Sequence, residues 1–230
     1  MKITKLKLKK LNNTRDLGGL PTMDGKVIKS RCLYRSGKFR KLHKTTKRIL
    51  ESFNLDVVID LRTPFEVKAV PDTILEKVDY LYFPLPCTAT EEVYNEKSMR
   101  LTYLKEAKRI KNEFQNADNY MIEMYRHLIT SDYCISTLKK IMACFLKYDR
   151  ILWHCSGGKD RTGLVSILIE SLLQFKEGFE QRVMIAAFIA LGSPYAIGRM
   201  YALKILKQIE QFQTILETID VNKINICEVE

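Results

Sequence analysis

The sequence predicts an α/β fold: a single-domain sandwich in which helices flank a central, mostly parallel sheet. Short apolar, β-branched runs alternate with segments of helical spacing. An apolar strand at Ile151–Trp153 leads through a glycine-bearing loop into an apolar helix at Leu164–Leu173. The chain has 230 residues, 46% hydrophobic and 28% charged, which suits one buried core and one domain over 1–230.

In chain order, Asp16-Leu-Gly-Gly19 and Asp24-Gly25 are turn signals beside short strands at Val27–Ile28 and Leu33–Tyr34. Arg15–Asp16 is expected to be structural, a turn tied to the sheet. Helical spacing covers Thr45–Phe53. Asp56–Asp60 reads as a buried strand, and Tyr80–Phe83 as another, closed by Pro84 and Pro86. Residues 90–117 read as a charged helical insertion, a candidate lid. Helices follow at Asp118–Thr130, with Tyr120, Met121, Met124, Tyr125 and Leu128 on a core face, and at Leu138–Leu146. After Pro194, Ile205, Ile209, Phe212, Leu216 and Ile219 form the stripe of a final helix.

The net charge of +11 gives the chain a field that attracts anions, whether phosphate esters, acidic lipid surfaces or nucleic acid. No motif supports nucleic acid. The basic residues of the amino-terminal stretch 1–11, Lys2, Lys5, Lys7, Lys9 and Lys10, are expected to be a solvated, partly frayed tail. The six cysteines contain no CxxC pair, and the three histidines show no paired ligand spacing, so neither a disulfide framework nor a metal or other cofactor is expected. MKITKLKLKKLNN has no continuous apolar run and no stretch has the length of a membrane span. A cytoplasmic location is expected, with export by a route lacking an ordinary signal left open.

The chemistry concentrates in His154-Cys-Ser-Gly-Gly-Lys-Asp-Arg-Thr-Gly163. Gly157 and Gly158 allow the chain to curl with successive N–H groups, Ser156 among them, pointing inward. Such a nest at a helix amino terminus binds a tetrahedral oxyanion. Cys155 sits at its floor, where positive surroundings favour the nucleophilic thiolate, and Thr162 can donate a hydroxyl hydrogen bond to the sulfur. Arg161 offers a planar fork to two phosphoryl oxygens. In-line attack by sulfur would give a phosphocysteine, hydrolysed next by water.

This pattern resembles the protein tyrosine phosphatase superfamily, and more closely the bacterial tyrosine and phosphoinositide phosphatases with the signature HCxxGKDRTG. Asn13–Gly19, Asp24-Gly25 to Leu33–Ser36, and Ile59–Arg62 match further blocks, so the resemblance covers most of residues 12–175. It implies that Cys155 is the nucleophile, Arg161 the phosphate clamp, and Lys159 and Asp160 functional. Asp160 is either the general acid or the group that orients Arg161, with Asp118 and Asp132 as rival acids. Asp60 and Arg62 either flank the site or form a structural ion pair. His154 is expected to steady the loop rather than act as a base. Expected partners are phosphorylated proteins or phosphoinositides, with peripheral contact to anionic membrane. The alternative is a catalytically weak phospho-ligand-binding module, against which the intact Cys155 and Arg161 argue.

Overall fold

The computed structural model describes residues 4–21, 26–87, 117–172 and 227–229. A six-stranded sheet runs in the order β1-β2-β4-β7-β5-β6. Its strands are β1 (Thr4–Lys5), β2 (Arg15–Asp16), β4 (Leu33–Ser36), β5 (Val57–Asp60), β6 (Asp79–Tyr82) and β7 (Ile151–His154). β4, β7, β5 and β6 are parallel, and β1 and β2 add an antiparallel edge. A separate ribbon pairs β3 (Lys26–Ile28) with β8 (Cys227–Val229).

β7 lies between two parallel neighbours and is buried along its whole length, which is why it reads as a continuous apolar run rather than an alternating one. Its side chains still alternate between two cores. Ile151 and Trp153 join one side, with α3 (Ala117–Thr130), α4 (Asp132–Lys147) and α5 (Asp160–Leu172). Leu152 joins the other, with Leu50 of α1 (Lys44–Glu51), Tyr34 and Phe39. The α/β architecture expected from the sequence is the one observed.

The amino-terminal run differs from a frayed tail. From Thr4 onward it is part of the fold: β1 pairs with β2, Leu6 N–H donates to Thr14 C=O at 2.9 Å, and Leu11 is buried. Leu6 and Leu8 pack on the second core while Lys5, Lys7 and Lys9 face solvent. This is a period-two pattern, apolar inward and charged outward. Arg15–Asp16 forms β2, and the Asp16 carboxylate accepts from the N–H groups of Gly18 and Arg31 at 2.9 and 3.0 Å. α4 begins at Asp132, earlier than its apolar spacing suggests, because Ser131 caps it by accepting from Cys134 N–H. α2 (Pro64–Ala69) is an additional short helix, started by Pro64 and by a Thr63–Glu66 capping box. The charged segment over 90–117, except Ala117, and the stripe after Pro194 lie outside the described residues. Among the described residues no helix is long and apolar enough to cross a membrane.

Candidate active site

The loop from Cys155 to Lys159 leaves the carboxyl end of β7 and enters the amino end of α5. Its carbonyls are satisfied from outside. Gly157 C=O accepts from Asn13 Nδ2 at 2.6 Å, and Gly158 C=O from Arg35 Nη2 at 3.1 Å. Ser156 C=O accepts from Lys38 N–H at 3.4 Å, and Lys159 C=O from Gly163 N–H at 2.7 Å. Cys155 C=O lies 3.4 Å from His154 Nδ1. A loop whose carbonyls turn outward turns its N–H groups inward. The N–H groups of Ser156, Gly157, Gly158 and Lys159 meet no protein acceptor among the described residues. Gly158 makes the curl possible, with φ of +65° and no room for a side chain: a Cβ there would lie 2.5 Å from the Ser36 carbonyl group. Gly157 is less constrained, since its nearest neighbour would be Lys159 Cγ at 3.8 Å.

Arg161, in the first turn of α5, is buried and held by Glu66 of α2. Nη1 donates to Oε2 at 2.6 Å and Nη2 to Oε1 at 2.7 Å. Nη1 also reaches the carbonyls of Leu61 and Leu85 at 3.3 and 3.5 Å. Burial alone would disfavour the guanidinium, but the Cys87 and Cys155 sulfurs and Glu66 outweigh it and raise its pKa further. With the terminal nitrogens committed to Glu66, the Nε edge of the fork is the part left for an anion, and no protein acceptor is found for Nε among the described residues. Glu66 also accepts from Ser156 Oγ at 2.5 Å, so one carboxylate ties the clamp to the loop. Sequence reading missed Glu66; its signal is the Thr63-Pro-Phe-Glu66 capping box, which calls for a helix start there.

Beneath the loop, Arg62 contacts Asp60 Oδ2 at 2.6 Å and Asp72 Oδ2 at 2.7 Å, and donates to Val70 C=O. Arg62 is 1% exposed and forms a buried ion-pair cluster with the two carboxylates. His154, wholly buried, stacks on Phe39 with its Nε2 3.1 Å from Asp72. Asp60, Asp72 and His154 bring donor atoms within 4.8 Å of one another, the kind of grouping that can hold a metal ion. Here the cation among the carboxylates is the guanidinium of Arg62.

Cys155 is 3% exposed at the floor of the loop. Thr162 is fully buried, and its Oγ1 finds no protein partner among the described residues. Asp160 is half-buried and accepts at Oδ1 from the hydroxyl of Tyr125 on α3, at 3.0 Å. The helical stripe that placed Tyr125 in the core gave no sign of this second role. Asp132 is exposed in the first turn of α4 and makes no hydrogen bond or ion pair with the loop, and the side chain of Asp118 lies outside the described residues.

A family model described as the tyrosine phosphatase family matches residues 6–179. A provisionally named tyrosine-protein phosphatase of Cupriavidus necator is 28% identical over 167 residues, 71% of this chain and 55% of that one. The triple specificity protein phosphatase PtpB of Mycobacterium tuberculosis is 23% identical over 191 residues, 77% of this chain and 65% of that one. The chain thus spans between about half and two thirds of the length of these curated relatives. A solved structure of P. aeruginosa TpbA aligns over 87% of this chain and 88% of its own at 14% identity, with a TM-score of 0.35. With three quarters of its length matched by the family model, the chain belongs to the tyrosine phosphatase family.

Proposed function

We propose that the protein hydrolyses phosphomonoesters through a phosphocysteine intermediate, acting on phosphotyrosine proteins, phosphoinositides or both. The observation that carries this reading is the row of N–H groups from Ser156 to Lys159, which meet no protein acceptor among the described residues and directly follow the buried Cys155. The phosphoryl group lies in this nest with its oxygens toward the Nε edge of Arg161. Cys155 thiolate forms an S–P bond in line as the ester P–O bond breaks, and Asp160 gives a proton to the departing oxygen. The nest and Arg161 hold the charge on the equatorial oxygens through the transition state. Water then attacks phosphorus and gives a proton back to the Asp160 carboxylate, the S–P bond breaks, and the thiolate returns as inorganic phosphate leaves.

The Thr162 hydroxyl, which makes no hydrogen bond to Cys155 in this structure, turns to the sulfur as the thiolate forms, and Lys159 meets a second, less fixed phosphate of a multiply phosphorylated ligand. The name of the M. tuberculosis relative, a triple specificity protein phosphatase, supports a range wider than phosphotyrosine alone. Phosphate release from a panel of phosphopeptides and phosphoinositides tests the proposal. Wild-type protein is expected to turn over members of at least one class, and Cys155→Ser to bind them without turnover. Ligand binding without phosphate release by the wild type would instead identify a phospho-ligand-binding module.

A further inference from the structure

Residues 1–15 contain no Asp or Glu, and neither do residues 25–50. The fold lays these acid-free stretches side by side: Thr46 Oγ1 donates to Lys9 C=O at 2.7 Å, and Gly37 N–H to Asn12 C=O at 2.8 Å. Both then abut the phosphate-binding loop, through Asn13 on Gly157 and Lys38 on Ser156. The result is a basic face continuous with the mouth of the site. Lys9, Lys10, Arg40, Lys41, Lys44 and Arg48 are exposed on these stretches, and none has a carboxylate partner among the described residues. The nearby acids Glu51 and Glu76 are both engaged by Lys47, at 3.6 and 3.7 Å, and Asp72 is buried against Arg62.

This face also carries an apolar tip. Thr73 N–H donates to Phe39 C=O, and Leu42 N–H to Thr73 Oγ1, which fixes Ile74 beside the 39–42 segment. Ile74 is 60% exposed, the largest exposure of a large apolar side chain among the described residues. Basic side chains around an exposed aliphatic tip match a lipid–water interface, where the charges meet anionic headgroups and the tip enters the acyl boundary. A nucleic acid would use the charges but offers nothing to the isoleucine.

We infer that this face docks on anionic lipid bilayers and so presents the mouth of the phosphate-binding loop to the membrane surface. Docking belongs to the surface and needs no turnover, so it is tested without any phosphorylated inositol lipid. Wild-type protein is sedimented with vesicles of phosphatidylcholine, alone or mixed with phosphatidylserine. It is expected to bind only the mixture, and less at high salt. Arg40→Glu with Lys44→Glu should lower binding by about thirtyfold or more, at about fivefold for each basic residue lost near an anionic surface and more for each charge reversed. Ile74→Ser, which changes no charge, should lower it severalfold. Lys139→Glu with Lys140→Glu, on α4 across the sheet, should bind nearly as wild type. Thermal unfolding and turnover of a small aryl phosphate report that each variant is folded. The inference is overturned if phosphatidylserine vesicles are not bound, or if the α4 pair weakens binding as much as the Arg40–Lys44 pair. It is also overturned if Ile74→Ser changes nothing while an oligonucleotide competes fully, which would make the face a charge-only nucleic-acid surface.

Discussion

Glu66 and Arg161 meet fork to fork, Nη1 on Oε2 and Nη2 on Oε1, at 2.6 and 2.7 Å. The contact fixes the plane of the guanidinium before any phosphate arrives, so its cost in side-chain entropy is met on folding rather than in the transition state. Glu66→Gln should therefore lower kcat by about tenfold or more with little change in KM, since the lost alignment matters most as the oxygens take up charge. A rise in KM alone would show that Glu66 serves ground-state binding.

The same pair gives a pH signature. Burial pushes the Glu66 carboxyl up, but the Arg161 contacts outweigh it and bring its pKa down to about 2 from the ordinary 4.5. A carboxyl whose folded pKa lies below its unfolded one stabilises fully above the unfolded value, and that stability drains away as pH falls toward the folded one. The difference corresponds to ~3 kcal/mol, lost between about pH 5 and pH 2. Urea unfolding across this range should show that loss in wild type and a shallower one in Glu66→Gln. Identical acid limbs would remove Glu66 from the account.

Gly158 and Gly157 should respond differently to alanine. Gly158→Ala puts a Cβ 2.5 Å from the Ser36 carbonyl group at positive φ, so the loop must move and turnover should fall by about a hundredfold or more. Gly157→Ala meets only the Lys159 stem at 3.8 Å and should keep activity within about tenfold. Steady-state kinetics on one aryl phosphate compares them, and equal losses would contradict the geometry.

Asp160→Asn should harm poor leaving groups most: an inositol phosphate far more than an activated aryl phosphate. Tyr125→Phe removes the hydroxyl that holds Asp160 Oδ1 and should give a smaller loss with the same leaving-group trend. Uniform losses across the series would make Asp160 an orienting group instead of the acid.

Arg161→Lys keeps the charge but cannot grip Glu66 with two nitrogens and present a third to phosphate. A fall in kcat on the order of a hundredfold is expected, and single-turnover kinetics should place it in S–P bond formation.

The loop was legible because its parts are contiguous: strand, cysteine, glycines and arginine fall within Ile151–Gly163 and constrain one another. Glu66, Asn13, Arg35 and Asp72 were not, because topology alone brings them to the loop. α2 buries none of its six residues, so it carries no apolar stripe, and only its capping box marks it. The amino-terminal run was misread because its lysines drew attention to charge. The leucines between them, at Leu6 and Leu8, carry the period of a half-buried strand. Asp60 and Arg62 stood open between two roles because Asp72, the second carboxylate on Arg62, comes from a separate stretch of chain.

The outward wiring of the loop has a kinetic corollary. Asn13 and Gly157 are 144 residues apart, Arg35 and Gly158 123, and Glu66 and Arg161 95. Contacts of such high contact order are rewarded only after long loops have closed, which slows their formation. Trp153, at the sheet centre, meets Phe145 edge-on and donates to Thr162 C=O nine residues away, while its strand neighbours Arg35 and Ile59 come from distant parts of the chain. During refolding its fluorescence should therefore reach the native value no later than turnover returns. Competence to cradle phosphate would arrive last, when the amino-terminal strands dock.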